Sequence, residues 1–267
     1  FNVNDNIGNA SNTTSTADIC ETTTKALTGT PSGGTWSVVS GGGTISGTTY
    51  SPANVSANTS VTIRYTIAAN GSCAATTSDV TFNVNDNLGS ASNTTSTADI
   101  CETSTKALTG TPSGGTWSVI SGGGTISGTT YTPANISTTT AVTIRYTIPV
   151  NGGCAASTSD ATFNVNEQPT STALTSSNPT TCIGTNGSIT ISGMQAIMSY
   201  SLTYTGPSGS TTVSIASNAS GQIIIASLPI GTYSNIVVTR GSCSSAPLGP
   251  VTLIGPAPIG SASINCK

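Results

Sequence analysis

The sequence predicts an all-β chain: a tandem array of immunoglobulin-like antiparallel β-sandwich domains with one disulfide in each. First, the run Phe-Asn-Val-Asn begins at Phe1, Phe82 and Phe163, and residues 1–81 match residues 82–162 at 67 positions. The chain therefore contains a duplicated unit large enough to be a small domain. Second, short apolar–polar alternations end at turn residues roughly every 8–12 positions, without helical periodicity. Third, the cysteines supply one pair for each domain.

The repeat also predicts the domain boundaries. Phe82 closes a repeat, so we expect its counterpart Phe1 to close a preceding one. The expected segments are the last strand of a preceding domain (1–5), a first module (6–86), a second module (87–168), a third, divergent module (169–257) and the start of a following domain (258–267).

Alternation within the repeat predicts about seven short strands and their buried faces. The clearest strand places Val61, Ile63, Tyr65 and Ile67 on one face. The closing strand places Phe82 inward and its asparagines outward. The large predicted core residues of both repeats are Trp36, Tyr65, Phe82, Trp117, Tyr146 and Phe163. Lys25 and Lys106 are each two residues from a leucine of the buried face, Leu27 and Leu108. We therefore expect both lysines to point inward, with their ammonium groups reaching a polar edge.

The seven cysteines bear on the cellular compartment of the chain. The predicted disulfides lie within domains, pairing Cys20 with Cys73, Cys101 with Cys154 and Cys182 with Cys243, and Cys266 is left unpaired in this sequence. One pair in each small domain is typical of extracellular proteins. The alternative is metal binding, but the chain has no histidine and no Cys-x-x-Cys motif.

Composition excludes several classes of function. Charged residues make up 6% of the chain and the net charge is −3, so no basic surface is available for nucleic acid. No apolar stretch approaches the ~20 residues that span a bilayer. The absence of histidine excludes Ser-His-Asp and Cys-His catalysis. We therefore predict that the chain is not an enzyme and needs no cofactor.

The linker after the first module offers one candidate metal site. Asn85, Asp86 and Asn87 present side-chain oxygens, which are the ligands that Ca²⁺ prefers. The sequence leaves two interpretations open, an interdomain calcium site and a polar linker, because Asn and Asp are also common turn residues.

The third module carries different motifs. The runs Cys-Ile-Gly-Thr-Asn-Gly-Ser-Ile-Thr-Ile from Cys182, Leu-Pro-Ile-Gly-Thr-Tyr from Leu228 and Val-Thr-Leu-Ile-Gly-Pro from Val251 resemble the repeat of SprB-type giant surface adhesins of Bacteroidota. The first two modules resemble the immunoglobulin-like or PKD-like modules of those adhesins, through Leu-Thr-Gly-Thr-Pro-Ser-Gly-Gly-Thr-Trp from Leu27 and from Leu108. The resemblance implies type 9 secretion and display on the bacterial outer surface, in attachment or gliding motility.

Two hypotheses of function follow. The first is a structural stalk or fibre segment of a secreted cell-surface adhesin, or a surface filament in which copies of the modules pack together, since low charge opposes association little. The second is a glycan- or surface-binding module within residues 169–257, where Tyr200, Tyr204 and Tyr233 are candidates for a sugar platform, although their alternation places at least two of them in the core. The partners expected are further copies of the modules and surface glycans.

Overall fold

The structure is a computed structural model that describes residues 8–181 and 183–256. All regular elements in those ranges are β-strands, and no helix there is long and apolar enough to cross a membrane. Predictions for residues 1–5 and 258–267, including Cys266, concern residues outside the described ranges. The domain boundaries stay predictions.

Backbone contacts divide the chain into two compact units, and the division passes through the second module. The first unit contains the chain up to Thr94 together with Gly110–Trp117 and Arg145–Asp160. The second contains Thr95–Thr109, Ser118–Ile144 and the chain from Ala161 onward. Each unit therefore includes one of the two junctions between consecutive modules.

The first module forms two main sheets and a short ribbon. Its strands are β1 (Ser11–Asn12), β2 (Ile19–Cys20), β3 (Lys25–Ala26), β4 (Gly29–Thr30), β5 (Thr35–Ser40), β6 (Thr44–Ser46), β7 (Thr49–Ser51), β8 (Thr59–Ile67) and β9 (Thr76–Asn85). One sheet has the order β2-β9-β8-β5, the other β3-β7-β6, and β1 pairs with β4. All pairs are antiparallel except β2 with β9, which run parallel.

The apolar faces of these two sheets share one core. Val61 and Ile63 on β8 are fully buried and Phe82 on β9 is 3% exposed. They pack with Leu27 and Tyr50 from the side of the second sheet. Alternating apolar residues on each strand thus face each other across the module, which confirms the predicted all-β immunoglobulin-like sandwich.

Most of the predicted core residues are buried. Tyr65 and Phe82 are each 3% exposed, which confirms the prediction for both. Trp36 is half-buried and packs its ring on Tyr65, with centroids 4.5 Å apart. The corresponding trio of the second module, Trp117, Tyr146 and Phe163, has the same burial. Both tryptophans are therefore at the margin of the core.

The inward lysine of the first module is also confirmed. Lys25 is 7% exposed, its Nζ lies 4.3 Å from the centroid of the Phe82 ring, and it donates a hydrogen bond to the Ala17 carbonyl at 2.5 Å. Burial lowers the pKa of the Lys25 ammonium, and the charge of Asp18 opposes this. The carbonyl and the aromatic face replace part of the lost hydration. Lys106 repeats these contacts with Phe163 and Ala98.

The second module repeats the strand order of the first. Its strands are β10 (Ser92–Asn93), β11 (Ile100–Cys101), β12 (Lys106–Ala107), β13 (Gly110–Thr111), β14 (Thr116–Ser121), β15 (Thr125–Ser127), β16 (Thr130–Thr132), β17 (Thr140–Ile148) and β18 (Ser157–Asn166). The sheet orders are β11-β18-β17-β14 and β12-β16-β15, with β10 paired to β13.

The third module is a different two-sheet sandwich. Its strands are β19 (Ala173–Ser177), β20 (Gly187–Ser192), β21 (Ser199–Gly206), β22 (Gly209–Ala216), β23 (Gln222–Leu228), β24 (Gly231–Arg240), β25 (Cys243–Ser244) and β26 (Val251–Leu253). One sheet has the order β19-β20-β23 and the other β22-β21-β24-β25, with β26 also on β24. Ile189, Ile191 and Ile223 from the first sheet pack in one cluster with Leu202 and Val238 from the second.

Candidate functional site at the joints between modules

The two cysteines of the first module lie at opposite ends of one strand. Cys20 is paired in register with Asn85, the last residue of β9, whereas Cys73 precedes Thr76, the first residue of β9. A ten-residue strand is about 30 Å long at ~3.3 Å per residue. Disulfide geometry requires Cα atoms within about 7 Å of each other. The predicted Cys20–Cys73 disulfide is therefore wrong.

The disulfides instead join consecutive modules. Cys20 of the first module bonds to Cys154 of the second, with Cα atoms 4.6 Å apart. Cys101 of the second bonds to Cys243 of the third, with Cα atoms 5.0 Å apart. The predicted pairs Cys101–Cys154 and Cys182–Cys243 are thereby also wrong. Cys73 is a free thiol, and Cys182 lies outside the described residues.

Long loops make these bonds effective constraints on the unfolded chain. The bonded residues are 134 and 142 positions apart. In the chain-entropy model, closing a loop of this size contributes about 5 kcal/mol, against about 4 kcal/mol for the 54-residue loop that the sequence suggested. The larger consequence is connectivity, because each bond links two consecutive modules.

The first joint is a hairpin of the second module seated on the end of β9. Residues 151–154 form a tight turn in which the amide and carbonyl groups of Asn151 and Cys154 exchange hydrogen bonds of 3.2 and 2.9 Å. Asn151 exchanges two side-chain hydrogen bonds of 3.0 Å with Asn58, and its Nδ2 also donates to the Asp86 carbonyl at 2.8 Å. The amide pair therefore fixes the orientation of the hairpin next to the disulfide.

Two glycines allow the hairpin to approach this closely. A Cβ on Gly152, whose φ is 51°, would lie 2.1 Å from Asn85 Nδ2. A Cβ on Gly153 would lie 2.5 Å from the backbone carbon of Ile19. Both distances are far inside van der Waals contact, so the first joint requires residues without side chains at these positions.

Asn85 lies beneath the hairpin. It is 2% exposed, and its Nδ2 donates to the Ile19 carbonyl at 3.3 Å, while its own carbonyl oxygen lies 3.4 Å from Cys154 Sγ. The prediction that the asparagines of the closing strand face outward is wrong for Asn85, because the neighbouring module covers the end of the strand. Asn166 at the second joint is likewise buried, at 7% exposure.

A carboxylate fixes the linker that leaves β9. Glu21 Oε2 accepts a hydrogen bond from the Val55 amide at 2.7 Å, and Oε1 accepts one from the Asn87 amide at 3.2 Å. Glu102 makes the same two contacts, to the amides of Ile136 and Gln168. Charge-assisted bonds to backbone amides are stronger than neutral ones, so both linkers are held against the module they leave.

The second joint repeats the arrangement of a glycine, a disulfide and a buried asparagine. Gly241, with φ 55°, takes the place of Gly152, and a Cβ on Gly241 would lie 2.8 Å from Asn166 Nδ2. Cys243 Sγ lies 3.0 Å from the Asn166 carbonyl oxygen. Gln168 Nε2 donates to the Ser244 carbonyl at 3.1 Å.

A cluster of charged and amide side chains borders the second joint. Gln195 Nε2 donates to a Glu167 carboxylate oxygen and to the Ser137 carbonyl, and Gln195 Oε1 accepts from the Arg240 guanidinium. Burial raises the pKa of the Glu167 carboxyl, and the nearby charge of Glu102 raises it further, while Arg240 and Gln195 act in the opposite direction.

The raised pKa of Glu167 predicts how pH affects this joint. A carboxyl whose folded pKa lies above its unfolded pKa contributes stability below the unfolded value, and that contribution is lost as pH rises through the folded value. We expect E167Q, which retains an oxygen for Gln195, to gain stability over wild type as pH rises from 4.5 to 8. Urea unfolding of both proteins across this range measures the difference. A difference that does not change with pH would contradict the assignment.

Two of the three candidate calcium residues use their side chains in other contacts: Asn85 is buried under the hairpin, where its Nδ2 donates to the Ile19 carbonyl, and Asn87 Oδ1 accepts from the Gly89 amide at 3.1 Å. The backbone amide of Asp86 donates to Asn58 Oδ1 at 3.1 Å, a contact that does not involve its carboxylate. Among the described residues, no group of three or more His, Cys, Asp or Glu side chains is arranged to hold a metal ion. The two interpretations of this linker, a calcium site and a polar linker, both stay open.

The tyrosines of the third module do not form one exposed surface. Tyr200 and Tyr233 are 4% and 2% exposed, as core residues. Tyr204 is half-buried beside a cavity of about 170 Å³ that Tyr233 also lines. A sugar platform built from all three rings is therefore not available in this arrangement.

Sequence reasoning missed the joints between modules. Cys20 lies at the far end of β9 from Cys73 because β2 pairs with the last two residues of β9, and the spacing of the cysteines does not indicate that register. The contact between Asn58 and Asn151 depends on how the modules dock, so no pattern in the sequence indicates it either.

Comparisons with known proteins find no family and a weak structural similarity. No family model and no curated protein matches the chain. Among solved structures, a crystal structure of titin domains is similar over 92% of this chain and 99% of the titin chain, at 8% sequence identity and a TM-score of 0.32. The fold assignment therefore depends on the strand pairing and the core of the chain itself.

Proposed function

We propose that this chain is a structural stalk or fibre segment of a large secreted cell-surface adhesin or surface filament, serving attachment or gliding without catalysis. The observation that supports the proposal is the disulfide between each pair of consecutive modules, Cys20–Cys154 and Cys101–Cys243. A bond inside a module would stabilise that module alone. A bond between modules transmits tension from one core to the next, which is what a fibre segment needs.

The remaining features agree with that role. Disulfides persist in oxidising compartments, which supports an extracellular location. The low charge weakens repulsion between neighbouring modules and between copies. The resemblance to SprB-type adhesins supplies the expectation of type 9 secretion and display on the outer surface.

Immunogold electron microscopy of cells that natively express the chain tests the proposal. We expect gold label along surface fibres on intact cells, and the images also distinguish single strands from bundled filaments. Label confined to the cell interior would contradict the proposal.

The alternative function, glycan binding by the third module, is tested by probing a glycan array with the full chain. Binding that the substitution Y204A abolishes would favour this alternative.

A further inference from the structure

The strand β22 of the third module is a long and regular sheet edge. It ends the sheet order β22-β21-β24-β25, which gives it one neighbouring strand, β21, among the described residues. The register with β21 runs without a shift from Ser199 opposite Ala216 to Gly206 opposite Gly209. The other side of β22 therefore presents backbone groups in the regular spacing that a further strand needs.

The hydrogen bonds to β21 show which backbone groups point to that free side. In an antiparallel pair, only every second residue of a strand bonds to a given neighbour. The ladder continues into Ser217, whose amide donates to the Met198 carbonyl at 2.9 Å, so the odd-numbered residues of β22 bond to β21. The residues whose amide and carbonyl groups point to the free edge are then Ser210, Thr212, Ser214 and Ala216.

Other sheet edges in the described part of the chain are irregular or short, whereas β22 is neither. The edge strand β5 has a register shift between Val38 and Ser40, and the edge strand β23 contains Ser227 at a φ of 59°. The edge strand β6 is three residues long. Register shifts, charges, prolines and short length are the features that prevent edges from pairing with other chains. β22 has eight residues, with no charged residue, proline or register shift.

The side chains of β22 fit a second copy of the same strand. Its solvent face carries a row of exposed hydroxyls that includes Thr212 and Ser214, and a hydroxyl both donates and accepts hydrogen bonds. Thr212 already pairs in this way with Thr203 of β21, with 2.9 Å between the two oxygens. On the opposite face, Val213 and Ile215 pack against the core but are only half-buried. A second β22 would continue both rows without bringing like charges together.

We propose that β22 is an interaction surface that pairs antiparallel with β22 of a second copy of this chain, about a two-fold axis at Val213. In this register Val213 lies opposite its counterpart and Thr212 lies opposite Ser214 of the other copy. The apolar residues of both copies then share one face and the hydroxyls share the other. The inference deepens the proposed function, on which it rests, because this contact joins two fibre segments side by side.

The expected contact is weak in a single pair of chains and strong in an array. One strand pair buries less surface than a standard protein interface, so we expect dimers only at high protein concentration. Where third modules recur along two neighbouring fibres, every further contact forms at a high effective concentration. Bundling of fibres therefore does not require a tight dimer.

Sedimentation velocity of the full 267-residue chain tests the proposal. Free thiols are alkylated beforehand, so that no new disulfide joins two copies. We expect wild type to change from monomer to dimer as its concentration rises to about 1 mM, the range of weak contacts. S214K and S214E should each dimerise roughly tenfold more weakly, because the two introduced charges lie diagonally across the strand pair and repel each other.

An equimolar mixture of S214K and S214E should recover dimers, because the facing charges are then opposite in sign. Recovery also shows that both variants are folded. S46K is the matched control: Ser46 is an exposed serine on the short edge strand β6, so this variant should dimerise as wild type does.

Each other result overturns the pairing of β22 with itself. A wild type that stays monomeric shows that the edge does not bind a second copy, and dimers that persist in S214K form through another surface. Loss of dimers in both variants without recovery in the mixture means that β22 contacts a different part of the second copy. Multimers beyond the dimer indicate a contact without two-fold symmetry. A monomeric wild type leaves the proposed function intact as a single-stranded stalk, which immunogold labelling tests separately.

Discussion

Reduction of the two disulfides at the joints is expected to increase the fully extended length of the chain under tension nearly threefold. With Cys20–Cys154 and Cys101–Cys243 intact, the shortest covalent path runs through residues 1–20, 101–154 and 243–267. That path contains roughly 100 residues and extends to about 350 Å at ~3.6 Å per residue. The reduced chain extends through all 267 residues, to about 950 Å on the same scale.

Single-molecule stretching between the chain ends, with and without reductant, measures these lengths. C73S is the matched control: it should leave the oxidised length unchanged, because Cys73 is free. If disulfides formed within modules, C73S would release the loop between Cys20 and Cys73 and add roughly 190 Å at ~3.6 Å per residue. If the oxidised C73S chain extended further than the oxidised wild-type chain, that result would contradict the disulfides between modules.

Substitution G152A is expected to open the first joint. A Cβ at this position would lie 2.1 Å from Asn85 Nδ2, and the residue has a φ of 51° that side chains disfavour. The left-handed conformation costs about 1–2 kcal/mol for a non-glycine residue, and relief of the overlap costs a further 1–3 kcal/mol or so. The hairpin would have to move away from Asn85 and from the Asn58 amide.

Gly128 provides a matched control within the same module. Its φ is 58°, and a Cβ at this position would have nothing within 4 Å, so G128A carries the conformational cost without the overlap. We expect the larger loss of unfolding free energy for G152A in urea titrations, together with slower formation of Cys20–Cys154 on refolding. Equal losses for the two variants would show that the close approach at Asn85 contributes nothing to stability.

The strands were predictable because the alternation of apolar and polar residues along each strand indicates which of its faces is buried. Val61, Ile63 and Tyr65 alternate with polar residues, and one buried face is the only arrangement that removes all three from water. The inward position of Lys25 was predictable from the same alternation, because the aliphatic part of a lysine side chain can pack in a core while its ammonium group donates to a carbonyl.

The joints were not predictable in the same way. One cysteine pair for each repeat is consistent with bonds inside modules and with bonds between them, and composition does not distinguish the two. The difference arises from the register of β2 on β9, which places Cys20 opposite the last residue of β9 and so separates it from Cys73 by the length of that strand. Burial of Asn85 likewise depends on a neighbouring module, so no pattern within its own strand could indicate it.

Tryptic mapping of the non-reduced chain, with free thiols alkylated before digestion, tests the central claim most directly. Cleavage after Lys25, Arg64, Lys106, Arg145 and Arg240 separates the bonded cysteines into four peptides: 1–25, 65–106, 146–240 and 241–267. Disulfides between modules predict two linked species, 1–25 with 146–240 and 65–106 with 241–267. Disulfides within modules would instead join all four peptides into one species, and that result would contradict the account.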